Sequence, residues 1–160
     1  MRRILVVCTA NICRSPAAAA LLRDRLGKRG LRDWSVGSAG TWARVPRAAS
    51  RPVVGILRRG GIDISDHQST MVNEELLREA DLVLTMEIGH AEALRLEFPT
   101  QAAKVFMLSD MTGKRFDIAD PYGGPVEGYE QMVSDLSSLI DEGLDRIIEL
   151  AQGVVSSEVQ

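Results

Sequence analysis

Residues 6–16 read VVCTANICRSP, and this stretch holds both cysteines of a 160-residue chain, set around one asparagine and followed by arginine, serine and proline. Before it, Arg3–Val7 is a short apolar, β-branched run, the pattern of a strand buried on both faces of a parallel sheet. After it, Ser15-Pro16 reads as a helix start, with serine as the cap and proline at the first helical position. Ala17–Lys28 then supplies strong helix formers with Leu21, Leu22 and Leu26 on one face, and Gly30 stops it. The order is strand, loop, helix, and the loop carries the reactive side chains.

The rest of the chain repeats the alternation. Further strands are expected at 33–38, 81–86 and 104–108, and helices at 51–59, 72–79, 87–98 and 129–150. The last helix carries Met132, Leu136, Leu139, Ile140, Leu144, Ile147 and Ile148 at helical spacing. Loops are expected at 41–50 and 109–126. Strands alternating with helices predict an α/β three-layer sandwich: a four-stranded parallel sheet with helices on both faces and an anion loop after the first strand. Ligands of such sheets bind beyond the carboxyl ends of the strands. Residues 1–152 are expected to form one domain, with a frayed tail over 153–160. No internal repeat or low-complexity segment is visible.

Composition narrows the classes. A formal net charge of −3 argues against a nucleic-acid binder held by phosphate contacts. No apolar run approaches the ~20 residues of a membrane helix, so no membrane insertion is expected. The start, MRRILVVCTA, echoes a signal peptide, but its apolar run is too short and polar residues follow at once; a cytoplasmic protein is expected. Two cysteines are too few for a disulfide scaffold. In a reducing compartment they point to catalysis or redox chemistry.

Cys8 and Arg14 have five residues between them, a spacing that can wrap a loop around a tetrahedral anion. Backbone N–H groups of Thr9, Ala10, Asn11, Ile12, Cys13 and Ser15 would point into the ring. Arg14 can pair with two phosphate oxygens. A thiol at the positive end of a helix dipole can serve as thiolate, attack phosphorus in line and form a phosphocysteine. The competing reading is a buried structural Cys8 and a surface Arg14, since the bare spacing is weak. An oxygen leaving group also needs a proton. Asp120 in DIADPYGG is the candidate, kept out of helical geometry by Pro121; Asp117 is its nearest rival, and an ordinary Asp-Pro turn is the plain alternative. Tyr122 and Trp42 are loop aromatics that could line a slot for a planar group.

CTANICRSP at 8–16, SAGT at 38–41, SDHQS at 65–69, ADLVLTM at 80–86 and DPYGG at 120–124, taken in this order, resemble the low-molecular-weight protein tyrosine phosphatases over nearly the whole chain. The resemblance implies a two-step reaction without metal or organic cofactor. Cys8 matches the nucleophile, Arg14 the phosphate clamp and Asp120 the general acid, then base. Ser15 matches the hydroxyl that supports the thiolate. Asn11, Ser38 and His67 match a network that shapes the loop. Cys13 matches a redox partner able to form a reversible disulfide with Cys8. DPYGG and SAGT resemble bacterial members. The implied partner is a tyrosine-phosphorylated protein, a bacterial tyrosine kinase among the candidates, and a monomer or weak dimer is expected. Gly123 stands where many members carry a second tyrosine, and Asp-Pro-aromatic-Gly-Gly also resembles a branch that hydrolyses phosphoarginine. That branch has Thr where this chain has Ile12, which favours a phenyl ring over a guanidinium. An arsenate-reducing branch needs two further cysteines that are absent. A phosphocysteine carrier and a non-catalytic phosphotyrosine-binding module are the readings from other classes; Arg14 with Asp120 argues against the first, and an intact Cys8 against the second.

Overall fold

In a computed structural model, which describes residues 1–153, β1 (Arg3–Cys8) is an inner strand of a four-stranded sheet. β2 (Ser35–Gly40), β3 (Leu82–Thr85) and β4 (Val105–Met107) complete the order β2-β1-β3-β4, all parallel. Side chains of β1 alternate between two apolar clusters. Ile4, Val6 and Cys8 pack toward α1 (Arg14–Lys28), α2 (Arg51–Arg59) and α5 (Val126–Ala151), while Leu5 and Val7 pack toward α3 (Glu74–Glu79) and α4 (Ile88–Glu97). The sheet is therefore covered on both faces, which is why its central strand reads as an unbroken apolar run. Among the described residues no helix is long and apolar enough to cross a membrane. The tail expected to fray lies, from residue 154 on, outside the described residues.

Several boundaries differ from the sequence reading. The second strand runs two residues later than expected, Ser35–Gly40 rather than 33–38. Trp34 turns into the core instead, and pairing carries β2 on until Gly40 lies opposite Cys8. Gly37, Ser38 and Gly40 are poor strand formers, so the pairing and not propensity extends this strand. Helix α1 begins at Arg14 behind Cys13, which makes no side-chain cap. Ser15 is thus inside the first turn and is not the cap; its hydroxyl is used elsewhere. Pro16 still fits, because N–H groups in the first turn lack intrahelical partners. Helix α3 starts at Glu74, capped by the Asn73 side chain accepting from the Leu76 N–H at 2.8 Å. Helix α5 begins at Val126, three residues earlier than expected, behind Pro125. Part of the expected 109–126 loop is a short 3₁₀ turn, Leu108–Thr112, with Leu108 and Met111 buried.

The paired ends of β1 and β2 carry the loop that matters. Gly40 lies so close to residues 9 and 10 that a Cβ would collide with the Thr9 carbonyl oxygen and stand 3.2 Å from the Ala10 carbonyl carbon. Both contacts are backbone, so neither can swing away. Gly40→Ala is expected to destabilise the fold by about 1–3 kcal/mol, the usual cost of overpacking, and to distort the loop after β1. Urea unfolding run beside turnover of an aryl phosphate checks this; parent-like values for both would show that the backbone yields.

Candidate active site

Residues 8–14 curl from the end of β1 to the start of α1 and enclose a cavity of about 60 Å³. Cys8 lies in its lining, with Ala10, Asn11, Ile12, Cys13 and Arg14 around it and Arg47, Asp120 and Tyr122 at the mouth. The curl requires one left-handed residue, and Asn11 supplies it at φ 59°. The neighbouring loop, 41–50, clasps the ring from outside. Backbone N–H groups of Thr41, Trp42 and Ser50 donate to the carbonyls of Cys8, Thr9 and Ile12.

Asn11 is fully buried and its side chain is committed on every side. Its Oδ1 accepts from the Thr70 backbone N–H at 2.9 Å, which settles the orientation of the amide. Nδ2 therefore donates, to Ser15 Oγ at 2.7 Å and to Ser38 Oγ at 2.9 Å. His67 Nε2 donates to the Asn11 carbonyl at 2.8 Å. Ser15 Oγ, already accepting from Asn11, keeps its own hydrogen for Cys8 Sγ at 3.0 Å. The sulfur thus receives a hydrogen bond of the kind a thiolate accepts. The residues expected as a network, Asn11, Ser38 and His67, are brought together with Ser15 and Cys8.

Arg14 is only 2% exposed and its partners divide its guanidinium. Nη1 donates to Glu87 Oε2 and to the Ile118 carbonyl, each at 2.7 Å. Nη2 makes only long contacts, 3.4 Å to Thr9 Oγ1 and 3.8 Å to Asp120 Oδ2, so it remains free to bind an anion. Asp120 also divides its oxygens: Oδ1 accepts from the Tyr122 N–H at 3.1 Å, an Asx turn, leaving Oδ2 on the Arg14 side. Asp117, the rival acid, accepts from the Ile88 N–H at 2.8 Å at the start of α4 and does not line the cavity.

Trp42, expected in the substrate slot, is not part of this lining. Trp42 is 61% exposed, and its ring lies under the Arg44 guanidinium, whose carbon is 4.1 Å from the ring centroid. Arg47 takes the place at the mouth, its guanidinium carbon 5.9 Å from the Tyr122 ring centroid and Nη2 donating to the Tyr122 hydroxyl at 3.4 Å.

Glu87 and His90 were not singled out from sequence. They form a reciprocal cap at the start of α4. The Glu87 backbone N–H donates to His90 Nδ1 at 3.1 Å, which leaves the ring proton on Nε2, and Nε2 donates to Thr9 Oγ1 at 2.8 Å. A capping box with Glu or Gln at its third position would have been recognisable; His in that place hides it. Burial pushes the His90 imidazole below its ordinary range, with Glu87 opposing the shift and Arg14 reinforcing it. Burial also pushes the Cys13 thiol up to about 11, although a hydrogen bond with Ser50 works against this. Both cysteines are free. Among the described residues no three or more His, Cys, Asp or Glu side chains are grouped to hold a metal ion.

A thiol on the floor of an anion ring, with a buried arginine and a loop carboxylate beside it, is the geometry of a cysteine-dependent phosphatase. Comparison with known proteins agrees. The family model for low molecular weight phosphotyrosine protein phosphatase matches residues 3–151. The probable low molecular weight protein-tyrosine-phosphatase EpsP of Ralstonia nicotianae is 36% identical over 147 residues, 92% of this chain and 97% of that one. A protein-arginine-phosphatase of Geobacillus stearothermophilus is 38% identical over 146 residues, 91% of this chain and 95% of that one. Among solved structures, the low molecular weight protein tyrosine phosphatase from T. tengcongensis superposes with a TM-score of 0.86 at 39% identity, covering 91% of this chain and 99% of that one. The chain belongs to the low molecular weight phosphotyrosine protein phosphatase family.

Two outcomes test the network. Asn11→Ala would leave the Thr70 N–H and two hydroxyls without their partner and put alanine at a left-handed position. We expect a loss of about 2–4 kcal/mol, read by urea unfolding, and an unchanged midpoint would refute the account. His90 sets a pH limb. The unfolded ring takes up a proton near pH 6.5, whereas the folded ring resists until lower pH. The unfolded state then binds more protons in that window, so stability is present above 6.5 and lost as pH falls through the folded value. His90→Gln should flatten the stability curve between about pH 7 and pH 5; a slope equal to the parent's would assign the limb to another group.

Proposed function

We propose that this chain hydrolyses phosphotyrosine in proteins through a phosphocysteine intermediate. The carrying observation is one cavity holding Cys8 Sγ, hydrogen-bonded to Ser15, together with the free Nη2 of Arg14 and Oδ2 of Asp120. Loop N–H groups of residues 9–15 and Arg14 hold the phosphate oxygens and the charge of the transition state. The Cys8 thiolate attacks phosphorus as the phosphorus–oxygen bond to the phenol breaks. Asp120 Oδ2 gives its proton to the departing oxygen. In the second step Asp120 takes a proton from water, the resulting hydroxide attacks phosphorus, the sulfur–phosphorus bond breaks, and phosphate leaves with the thiolate restored.

Phosphoarginine is the second reading. It is favoured by the Asp-Pro-aromatic-Gly-Gly pattern and by arginine phosphatases among the relatives. Tyr122 is followed by Gly123 at φ 81° and then Gly124, so no second aromatic wall follows it. The mouth itself favours phosphotyrosine. Arg47 stands over Tyr122 where a substrate side chain must pass. A phenyl ring is attracted to a guanidinium by its π face, whereas a phosphoarginine side chain brings a third guanidine beside Arg14 and Arg47.

The protein works in the cytoplasm, where its two free thiols persist. Its partner is a tyrosine-phosphorylated protein, a bacterial tyrosine kinase among the candidates, and it acts as a monomer or weak dimer. Peroxide oxidises Cys8 to the sulfenic acid, and the Cys13 thiol then displaces water to form a disulfide. The raised Cys13 value makes that closure slow near neutrality and faster as pH rises toward 11.

Paired kcat/KM values for matched phosphotyrosine and phosphoarginine peptides, in reductant and with Cys8→Ser as blank, decide between the readings. We expect phosphotyrosine to be preferred, Cys8→Ser to be inactive, and Asp120→Asn to lose about 10²–10⁴ in kcat. A phosphoarginine preference would overturn the substrate reading, and turnover surviving in Cys8→Ser would overturn the mechanism. After peroxide and then thiol, Cys13→Ser should recover less activity than the parent; equal recovery would exclude the disulfide.

A further inference from the structure

The loop that clasps the phosphate ring carries Arg44, Arg47 and, at its junction with α2, Arg51, all exposed. Among the described residues none of the three has a carboxylate within 4.0 Å, so no ion pair offsets their charge. The chain as a whole carries −3, so this rim departs locally from the overall sign. Two of the guanidiniums are parked on aromatic faces, Arg44 on Trp42 and Arg47 on Tyr122. Stacking holds a guanidinium plane in place while leaving its charge and most of its N–H donors unused.

The loop is also held rigidly for its length. Its two ends are bonded to the ring through Thr41, Trp42 and Ser50. Its middle is bonded to Ser69: the Arg47 N–H donates to Ser69 Oγ at 2.8 Å, and the Ser69 N–H donates to the Arg47 carbonyl at 2.8 Å. Ala48 pairs with Gln68 in an isolated antiparallel bridge. The cations are therefore presented from a fixed backbone rather than from a loose tether.

We propose that this arginine rim is a docking surface for acidic residues flanking the phosphotyrosine, so that the enzyme selects acidic phosphotyrosine segments. This rests on the phosphotyrosine reading of the site. The cavity is small and admits only the phosphorylated side chain, so the substrate backbone stays outside and crosses the mouth at Arg47. Arg44 and Arg51 stand three and four residues along the chain from Arg47, a span that two or three flanking substrate residues match at roughly 3.3–3.6 Å per extended residue. Carboxylates there meet planar forks with free donors. Overall repulsion from the acidic protein is screened beyond about 8 Å at physiological salt, so the local rim decides the sign.

The test uses the full chain and three peptides with one phosphotyrosine, flanked by Asp and Glu, by Ala and Ser, or by Lys. Phenyl phosphate, which has no flanks, serves as the reference substrate. Exposed pairs are individually weak, so two or three together should give about a tenfold kcat/KM preference for the acidic over the basic peptide. The preference should sit in KM and shrink in about 0.5 M salt. Arg44→Glu with Arg51→Glu leaves the cavity lining intact, so phenyl phosphate turnover should hold while the peptide preference collapses or reverses. Equal kcat/KM for the three peptides in the parent, or a preference that survives the double charge reversal, would overturn the inference and leave the phosphatase reading standing. Loss of phenyl phosphate turnover in the parent would overturn both. Parent binding to phosphatidylserine vesicles, absent in the double variant and joined to flank-indifferent hydrolysis, would assign the rim to a membrane surface and overturn the peptide reading.

Discussion

The Asn11 side chain is the constraint on which the site depends. A ring of backbone N–H groups closes around an anion only if the chain reverses tightly between β1 and α1, and the reversal needs a residue at φ 59°. Glycine would reach that conformation but would leave the Thr70 N–H and the Ser15 and Ser38 hydroxyls without their partner. Asparagine tolerates the conformation and also ties the ring to β2 and to the residue-70 segment. The same amide orients the Ser15 hydroxyl, so the shape of the ring and the hydrogen bond to the Cys8 sulfur are set by one group.

Arg14 raises a different problem. A guanidinium this buried loses most of its hydration, a penalty of several kcal/mol without partners. Glu87 and the Ile118 carbonyl compensate on one side, and the long contacts of Nη2 leave the other side under-satisfied. In the proposed reaction the substrate's phosphate oxygens would complete that shell. Part of a desolvated cation is thus left unmatched, and the Glu87 contact holds the fork in place. His90 secures the arrangement by holding both the Glu87 backbone and the Thr9 hydroxyl. Its lowered proton affinity keeps the ring neutral, as the accepting role of Nδ1 requires.

The surroundings of the ring separate chemistry from selection. In the proposed mechanism residues 8–15 hold the phosphate. The mouth is made by residues from elsewhere, Arg47 from the clasping loop and Tyr122 from the loop before α5. Changes there alter which substrate enters without moving the sulfur or the clamp, because the ring is braced by its own network. Relatives bearing both tyrosine- and arginine-phosphatase names fit that division.

Much of this was legible in the sequence because it is local. An apolar run, a small polar loop and a helix follow one another within residues 3–28, and that order places Cys8 and Arg14 at the carboxyl end of a parallel strand whatever the rest does. The alternation of strands and helices determined the layered sheet, and the motif set determined the family. What residues far apart in sequence do to each other was decided only by the tertiary structure. Ser15 looked like a cap and became the donor to Cys8, because Asn11 occupies its oxygen. The second strand slid by two residues, because pairing with β1 outweighs the weak propensity of glycine and serine. Trp42 left the slot to Arg47, since its ring found a guanidinium outside. Glu87 and His90 carry no local signal, being a helix cap in sequence and the brace of Arg14 and Thr9 only once β3 lies beside β1. Local order is written in short-range propensity and pattern, whereas the partners of a buried charge are chosen by whichever distant groups the packed sheet brings within hydrogen-bond reach.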